Sequence, residues 1–255
     1  MNTKMLFFII LLIMLIISIY FLFNFLNNKN DYFEIIFNES NNINYYVITL
    51  NSKERNENIK LSEKKYNINI QIIEGVNWIN VNQNELLNKN VISSDFKNNL
   101  DKRSKEIACY LSHFKIYNLI KDSNKKDGYS VIFEDDFNIL ENNLINNNFN
   151  EEIESVINIM KEDFDIIFLG NTFDNSKDRY KRNIFNIDKN KETIGCYGYL
   201  INNSSINKIL NQVNYIDEPI DSKLSSLIKT DNLRCFVLKP NIVNYKVEFT
   251  SQINK

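Results

Sequence analysis

The sequence is poor in the residues that build phosphate loops, zinc sites and disulfide frameworks: its 255 residues include five glycines, two prolines, three cysteines and one histidine. Gly195-x-x-Gly198 lacks the third glycine of a dinucleotide fingerprint, and no Walker pattern occurs, so a phosphate ligand would need a metal ion and basic side chains instead. Cys109, Cys196 and Cys235 form no C-x-x-C pair and are odd in number, which argues against a disulfide-stapled scaffold while leaving one bridge open. The formal net charge of −2 gives no support for nucleic-acid binding, which needs a basic face.

The N-terminus contains the longest apolar stretch of the chain. Residues 5–26 are nearly all Leu, Ile, Phe and Met, with Ser18 and Asn24 as the only polar interruptions and no charge. A helix of this length, at about 1.5 Å per residue, spans roughly 30 Å of hydrocarbon. Because no Ala-x-Ala cleavage pattern follows, we predict an uncleaved transmembrane signal anchor rather than a long signal peptide.

This anchor sets the predicted domain organisation. Lys4 on one side nearly balances Lys29 on the other, so the flanking charge does not fix the orientation. A short tail before one large domain favours a single-pass, type II membrane protein whose domain lies on the lumenal or exoplasmic side. The predicted segments are a tail (1–4), the anchor (5–26), a stem (27–44) and one domain (45–255).

Within the domain, apolar strand-like runs alternate with segments of helical periodicity. The predicted strands are Tyr45–Leu50, Ile68–Glu74, the run ending at Phe133, Phe164–Leu169, Gly195–Ile201 and Arg234–Leu238. The predicted helices are Lys53–Tyr66 after the Asn51-Ser52 cap, Glu106–Lys121, Glu151–Lys161, one N-capped by Ser204 that runs to Leu210, and a short one that begins at Pro219. This alternation predicts an α/β fold, with a mostly parallel sheet and helices on both faces.

The most informative motif is an acid triplet at the end of a predicted buried strand. The apolar run 131–133 (Val-Ile-Phe) stops at Glu134, Asp135 and Asp136. Open α/β sheets bind ligands at the carboxyl ends of their strands, and adjacent like charges repel unless a cation or strong donors lie between them. A hard divalent ion, which prefers oxygen ligands, would satisfy the cluster and bridge it to a diphosphate. The alternative is a solvated acidic turn.

The only histidine lies four residues after a cysteine on a predicted helix. Cys109 and His113 therefore share a face, which suggests a thiolate–imidazole pair or half of a zinc site. The sequence offers no other histidine and no C-x-x-C pair to complete a zinc site. The alternatives are a buried core thiol at Cys109 and a packed helix-end residue at His113, with a donor to a ligand as the functional interpretation of His113.

Two further charged residues are candidates for a site, and a third is not. Arg55, just after the first strand, is either a donor to a phosphate or a solvated residue of the first helix. Asp221, in the first turn of the helix after Pro219, either favours the helix dipole or faces the cleft as a base. We expect Asp165 to be a cap or turn residue before its strand.

In this order, the motifs resemble those of glycosyltransferase family 25, the lipopolysaccharide and procollagen galactosyltransferase-like group, from about Tyr45 to the C-terminus. The matching motifs are Tyr46–Leu50 (Tyr-Val-Ile-Thr-Leu) with Arg55, Glu106–His113 (Glu-Ile-Ala-Cys-Tyr-Leu-Ser-His), Val131–Asp136, Asp165–Gly170, Gly195–Ile201, Pro219–Asp221 and Ser251–Ile253. The ordered series, with Cys-x-x-Ser-His before Glu-Asp-Asp, is the specific part of the resemblance.

The chain departs from the family pattern at three places. Thr49 stands where the family usually has Asn, and Ala108 stands where it usually has Gly. Val76-Asn77-Trp78 occupies a position where the family often has Asp-Gly. These departures concern the expected donor site and leave the acid triplet unchanged.

The resemblance implies a GT-A-like, Rossmann-type fold and inverting transfer of a hexose from a nucleotide sugar, usually a UDP-sugar, to a hydroxyl of a glycan or hydroxylated protein. Glu134 and Asp136 would hold Mn²⁺ or Mg²⁺, since alternate residues of an extended strand end point to one side. Asp221 would be the catalytic base. The remaining residues expected to bind the donor are Arg55, Ser112, His113 and Asp135.

Two other classes of function stay open at this point. One is a catalytically inactive, membrane-anchored glycan-binding or structural module with the same fold. The other is a metal-dependent phosphohydrolase, which would lack a nucleophilic Asp-x-Asp at the end of the first strand.

Overall fold

The computed structural model describes residues 42–97, 101–123, 127–146, 148–192 and 195–249. The predicted tail (1–4), anchor (5–26) and nearly all of the stem (27–44) lie outside these residues, as does the Ser251–Ile253 motif. Among the residues that the structure describes, none of the helices combines the length and the apolar character needed to span a bilayer.

The described residues form ten strands and six α-helices. The strands are β1 (Ile43–Thr49), β2 (Ile70–Glu74), β3 (Tyr129–Glu134), β4 (Phe137–Ile139), β5 (Ile166–Phe168), β6 (Ser176–Lys181), β7 (Ile184–Ile187), β8 (Gly198–Asn202), β9 (Cys235–Leu238) and β10 (Val243–Tyr245). The helices are α1 (Lys53–Tyr66), α2 (Gln83–Asn88), α3 (Asp101–Asp122), α4 (Phe149–Met160), α5 (Ile206–Gln212) and α6 (Ile220–Lys229).

Eight strands form one mixed sheet in the order β2-β1-β3-β8-β5-β9-β7-β6. The pairs β1–β2, β1–β3 and β5–β9 are parallel, whereas β8 is antiparallel to β3 and β5, and β7 is antiparallel to β9 and β6. Only β7 and β8 therefore run against the other six strands. This confirms the predicted α/β class with a mostly parallel sheet.

The sheet has a topological switch point at β1, where the ligand-binding crevice of an open α/β sheet is expected. β1 pairs with β2 on one side and with β3 on the other, both in parallel. The register places Ile48 opposite Glu134 and Thr49 opposite Glu74. The acid triplet, which begins at the last residue of β3, therefore lies at the mouth of this crevice.

Helices cover both faces of the sheet, as the alternation of elements predicts. On one face, Tyr46 and Ile132 pack with Tyr110 of α3 and with residues of α5 and α6. On the other face, Val47 and Phe133 pack with residues of α1 and α4. Alternate strand residues thus enter opposite cores, and the apolar contacts fix the register that positions the crevice.

The two-stranded ribbon of β4 and β10 packs against the end of β5. β4 follows the acid triplet directly and pairs antiparallel with β10. Gly170 lies so close to β10 that a Cβ atom there would collide with the carbonyl oxygen of Val243. The backbone amide of Lys246 donates to the carbonyl oxygen of Asp136 over 2.7 Å, so the ribbon also fixes the backbone of the triplet.

The helix caps test several local predictions. Ser52 accepts the backbone N–H of Arg55 and begins α1 at Lys53, and Pro219 precedes α6, so both predicted starts are confirmed. The prediction for Ser204 is wrong: the cap position of α5 is Ser205, and Ser204 lies in a 3-10 turn. The side chain of Asn202 accepts the N–H of Ser204, which favours this extra turn before the helix.

Candidate active site

The three consecutive carboxylates have different surroundings. Glu134 ends β3 with 30% of its side chain exposed, whereas Asp135 is buried. Asp135 and Asp136 form the tight turn that leads into β4. All three line one cavity at the strand ends, so the interpretation as a solvated acidic turn is wrong.

Asp135 forms a buried ion pair with Arg55. The Arg55 side chain extends from the first turn of α1, which Ser52 caps, and its Nη1 donates to Oδ1 of Asp135. The Arg55 guanidinium also lies 5.6 Å from the ring centroid of Phe249. The alternative that Arg55 is solvated is therefore wrong, while the roles predicted for Arg55 and Asp135 in donor binding stay predictions.

Asp136 is a carboxylate whose charge is poorly compensated. Burial raises its pKa from the usual 3.8 to about 6, with a further contribution from the negative charge of Glu134, while Arg55 acts in the opposite direction. Its Oδ1 is buried and finds no hydrogen-bond partner among the described residues. An orphaned, desolvated carboxylate oxygen beside a second carboxylate fits a hard divalent cation, which would supply the missing positive charge.

His113 is fully buried and joins Glu134 to the protein core. Its Nε2 lies 3.2 Å from Oε1 of Glu134, and its Nδ1 lies 2.7 Å from the hydroxyl of Tyr199. The Tyr199 hydroxyl is 2.8 Å from that of Tyr117. Both ring nitrogens of His113 thus have protein partners, and its predicted role as a donor to a ligand stays a prediction.

Cys109 lies on α3 one turn before His113, and its Sγ is 4.0 Å from Oε1 of Glu134. Burial raises the pKa of Cys109 well above its usual value, and the nearby carboxylates act in the same direction. Such a thiol is a poor nucleophile at neutral pH, which counts against the thiolate–imidazole pair. All three cysteines are free, so the structure contains no disulfide bridge between them.

Ser112 connects α3 to the loop after β2. Its hydroxyl donates to the carbonyl oxygen of Ala108 over 2.7 Å and accepts the backbone N–H of Val76 over 2.8 Å. The side chain is buried in the wall of the cavity. Its predicted contact with the donor stays a prediction, and its present contacts fix the loop that closes one side of the cavity.

This first cavity has a volume of about 110 Å³ and lies between the ends of β1 and β3, α1 and α3. Two further residues line this cavity: Trp78, named above only as part of a departure from the family pattern, and Lys105, which the sequence analysis did not single out. The Lys105 ammonium lies 5.1 Å from the centroid of the Trp78 ring. The signal was available, because Trp78 is the only tryptophan and Lys105 directly precedes the Glu106–His113 motif.

The three departures from the family pattern also line this cavity. Thr49 turns its hydroxyl towards the backbone N–H of Asn51, which it accepts over 3.0 Å. Ala108 and Val76 contribute to the same wall. The departures therefore change the surface of one pocket and are not scattered over the fold.

A second cavity of about 120 Å³ contains Asp221, together with Glu106 and Tyr197. Cys109 and Glu134 line both cavities, so the two are neighbouring parts of one crevice. Asp221 therefore faces the same crevice as the acid triplet, although it belongs to the distant helix α6.

The Asp221 carboxylate lies in the first turn of α6, as predicted, where its Oδ1 accepts the N–H of Ser222 over 2.8 Å. Burial raises its pKa above the usual value, and the charge of Glu134 adds to this, while the amides of Ser222 and Gly195 oppose it. A carboxylate with a raised pKa is a stronger base, so the position and the electrostatics both suit proton abstraction.

Asp165 has a structural role, as its position before β5 suggested. Its carboxylate accepts hydrogen bonds from the Ser205 hydroxyl, the Lys208 ammonium and the backbone N–H of Arg234. These contacts connect β5, α5 and the strand β9, and they lower the pKa of Asp165 despite its burial.

The crevice at the switch point, the desolvated acid pair and the carboxylate facing it define an α/β protein with the side chains of an enzyme site. The family model for glycosyltransferase family 25, described as LPS biosynthesis protein, matches residues 42–224. The chain belongs to this family and is a glycosyltransferase, which acts on a sugar donor and an acceptor. A comparison with curated proteins gave no match.

Proposed function

We propose that this glycosyltransferase is metal-dependent and inverting, and that it transfers a hexose from a UDP-sugar to a hydroxyl of a glycan or hydroxylated protein. The observation that carries the proposal is the partly buried pair Glu134 and Asp136 at the end of β3, with an orphaned oxygen on Asp136. Burial of two uncompensated carboxylates costs free energy, and a role in binding a cation would explain why the fold keeps them.

Glu134 and Asp136 would hold Mn²⁺ or Mg²⁺. When bound, the ion supplies positive charge that stabilises the nucleoside diphosphate as it leaves. The buried Arg55–Asp135 ion pair restricts the turn that contains Asp135 and Asp136, because it connects Asp135 to α1. Lys105 adds a second cationic side chain to the cavity wall, where it would attract the phosphates.

Asp221 would accept the proton of the acceptor hydroxyl. Inversion in one displacement needs a single base on the acceptor side of the sugar, and Asp221 is the carboxylate that faces the crevice from α6. Its raised pKa is consistent with this role. The neighbouring second cavity, which Tyr197 lines, would then receive the acceptor.

We further propose that residues 5–26 anchor the enzyme as a single-pass, type II membrane protein, with the catalytic domain on the lumenal or exoplasmic side. The support is the length and composition of this apolar segment. An enzyme of glycan assembly would gain access to membrane-associated acceptors from such an anchor.

The deciding experiment is a donor screen that follows nucleotide release with and without EDTA. We expect release from a UDP-hexose that EDTA abolishes and Mn²⁺ restores, and calorimetry should show Mn²⁺-dependent UDP binding that Asp136→Ala removes. An inactive glycan-binding module would show no metal-dependent UDP binding. Full activity of Asp136→Ala would contradict the site, and phosphate release from simple esters would instead support a phosphohydrolase.

A further inference from the structure

Cys109, His113 and Glu134 bring a thiol, an imidazole and a carboxylate to one point between the two cavities. Oε1 of Glu134 lies 4.0 Å from Sγ of Cys109 and 3.2 Å from Nε2 of His113. The ligand atoms of all three residues lie within 4.8 Å of one another. Ligands at about 2.0–2.3 Å from a tetrahedral zinc ion stand roughly 3–4 Å apart, so small side-chain shifts would let one ion contact all three.

The cluster is accessible from the crevice. Cys109 and Glu134 line both cavities, and about a third of the Glu134 side chain is exposed (30%). Three protein ligands and one position open to solvent are the arrangement of an open zinc site, in which water or an exogenous ligand completes the tetrahedron. His113 lies at the buried end of the cluster.

The surroundings of His113 are those of a metal-binding histidine. Such residues nearly always have a fixed hydrogen-bond partner on the second ring nitrogen, and Tyr199 holds Nδ1 of His113 at 2.7 Å. If Nδ1 carries the proton and donates to Tyr199, the lone pair of Nε2 faces the Glu134 carboxylate. Two electron-rich atoms in that position are stabilised by a cation between them.

We propose that Cys109, His113 and Glu134 form a binding site for a soft divalent cation of the zinc class, and that its occupation withdraws Glu134 from the hard-metal pair. Binding breaks the S–H bond of Cys109 and releases the proton to solvent, because a coordinating thiol is deprotonated. The sulfur and imidazole ligands favour Zn²⁺ over Mn²⁺ or Mg²⁺, which prefer oxygen.

The regulatory consequence rests on the proposed function. Glu134 cannot serve the hard ion with Asp136 and the soft ion with Cys109 at full strength in both sites. Zn²⁺ would therefore inhibit transfer, and raising the Mn²⁺ concentration would relieve the inhibition. The metal site itself does not depend on the enzyme having that activity.

The test uses Co²⁺ as a spectroscopic probe of the full-length protein, because a cobalt–thiolate bond gives a charge-transfer absorption that oxygen ligands do not. We expect one equivalent of Co²⁺ to produce this band and Zn²⁺ to remove it. Cys109→Ser should abolish the band, while Cys196→Ser, which changes a buried cysteine of the same crevice, should retain it.

A second variant separates metal binding from folding. Tyr199→Phe removes only the hydroxyl that holds Nδ1 of His113, and we expect it to weaken Zn²⁺ binding by about 10–100-fold. The thermal transition of each variant reports whether the fold is kept. A wild-type protein without a thiolate band, or a band that survives Cys109→Ser, would overturn the site.

The inhibitory consequence is tested by transfer assays at several Mn²⁺ concentrations. We expect Zn²⁺ to inhibit competitively with Mn²⁺, and Cys109→Ser to lower this zinc sensitivity at least tenfold relative to the variant's own zinc-free rate. A cobalt–thiolate band with zinc-insensitive transfer would support the site and refute its effect on Glu134. A protein without transfer activity would refute the proposed function, and the spectroscopic result would still decide the metal site.

Discussion

At the scale of single residues, Asp135 and Asp136 show how neighbouring carboxylates acquire opposite roles. Asp135 is compensated by Arg55 in a buried ion pair, whereas Asp136 has a raised pKa and an unsatisfied oxygen. The ion pair of Asp135 stabilises the fold, whereas the uncompensated carboxylate of Asp136 can be neutralised by a bound cation. The same substitution at the two positions should therefore change stability in opposite directions.

We expect Asp136→Asn to stabilise the metal-free protein and Asp135→Asn to destabilise it. The rise in the pKa of Asp136 from 3.8 to about 6 corresponds to about 3 kcal/mol at neutral pH. This is an upper limit for the gain in unfolding free energy on Asp136→Asn. Removal of one partner of a buried ion pair costs about 3–5 kcal/mol, which applies to Asp135 because its buried carboxylate pairs with the Arg55 guanidinium. Urea unfolding without metal measures both.

Added Mn²⁺ gives the matching control. It should raise the unfolding midpoint of the wild-type protein and leave that of Asp136→Asn nearly unchanged. Two variants that are destabilised equally would show that Asp136 carries no uncompensated charge.

The raised pKa of Asp136 also predicts a pH dependence. The folded protein holds this proton more tightly than the unfolded chain, so the contribution of Asp136 to the stability of the metal-free protein is lost as the pH rises through about 6. The pH dependence of metal binding is opposite, because the ion binds the deprotonated carboxylate. The Mn²⁺ affinity should fall about tenfold per pH unit below about pH 6, and calorimetric titrations at several pH values measure it. A pH-independent affinity would contradict the assignment.

Asp221→Asn tests the base. The substitution keeps the size of the side chain and removes its basicity, so kcat should fall by about 10²–10⁴-fold while UDP binding changes little. Asp217→Asn is a suitable control, because Asp217 precedes the same helix but pairs with Lys223 at the surface. Equal losses in both variants would indicate a role of this segment in folding rather than in proton transfer.

At the scale of secondary structure elements, α3 contributes more residues to the crevice wall than any other described helix or strand. Its residues Lys105, Cys109, Ser112 and His113 line the first cavity, and Glu106 lines the second. Lys246, the residue after β10, supports the opposite side through the hydrogen bond that its backbone N–H donates to Asp136. The position of the acid triplet therefore depends on how tightly the ribbon of β4 and β10 packs against β5.

Gly170→Ala tests that packing. A Cβ at Gly170 would collide with the backbone of Val243, which cannot move without displacing β10, so we expect a loss of about 1–3 kcal/mol or more in unfolding free energy and weaker Mn²⁺ binding. At Gly75 the new Cβ would meet only side-chain atoms, the nearest at 3.2 Å, so Gly75→Ala should be milder. Equal stability of the two variants in urea unfolding would contradict the role of the ribbon.

The elements also show which parts of the fold a sequence reveals. α1 begins and ends where its cap and periodicity predict, and the apolar runs locate β1, β3 and β9 within a few residues. The direction of β8 was not predictable, because all its residues are buried and its burial pattern does not distinguish parallel from antiparallel pairing. β6 was missed because its charged, exposed residues suit an edge strand and lack an apolar pattern.

For the site too, the sequence revealed the local features and not the contacts between distant parts of the chain. Strand ends and spacing along one helix are local, so the sequence could indicate the acid triplet and the shared face of Cys109 and His113. The pairing of Arg55 with Asp135 and the contact between His113 and Glu134 join distant parts of the chain. Only packing determines such contacts, so the sequence could not indicate which protein side chains Arg55 and His113 contact.

At the scale of the whole molecule, the two cores of the catalytic domain are built from the described residues between 42 and 249. Each face of the sheet is covered by helices from this part of the chain. Folding and membrane attachment should therefore be separable properties.

In a flotation assay we expect the full-length protein to float with lipid vesicles and a shortened protein that starts at Tyr32 to stay in the bottom fraction. Both proteins should show equal EDTA-sensitive nucleotide release. Leu15→Arg gives a matched control, because a charge at the centre of a membrane helix costs about 2.5–3.5 kcal/mol and should weaken vesicle association without changing the domain. A full-length protein that fails to float would refute the anchor. Loss of the cooperative unfolding transition in the shortened protein would instead show that the removed segment contributes to the fold.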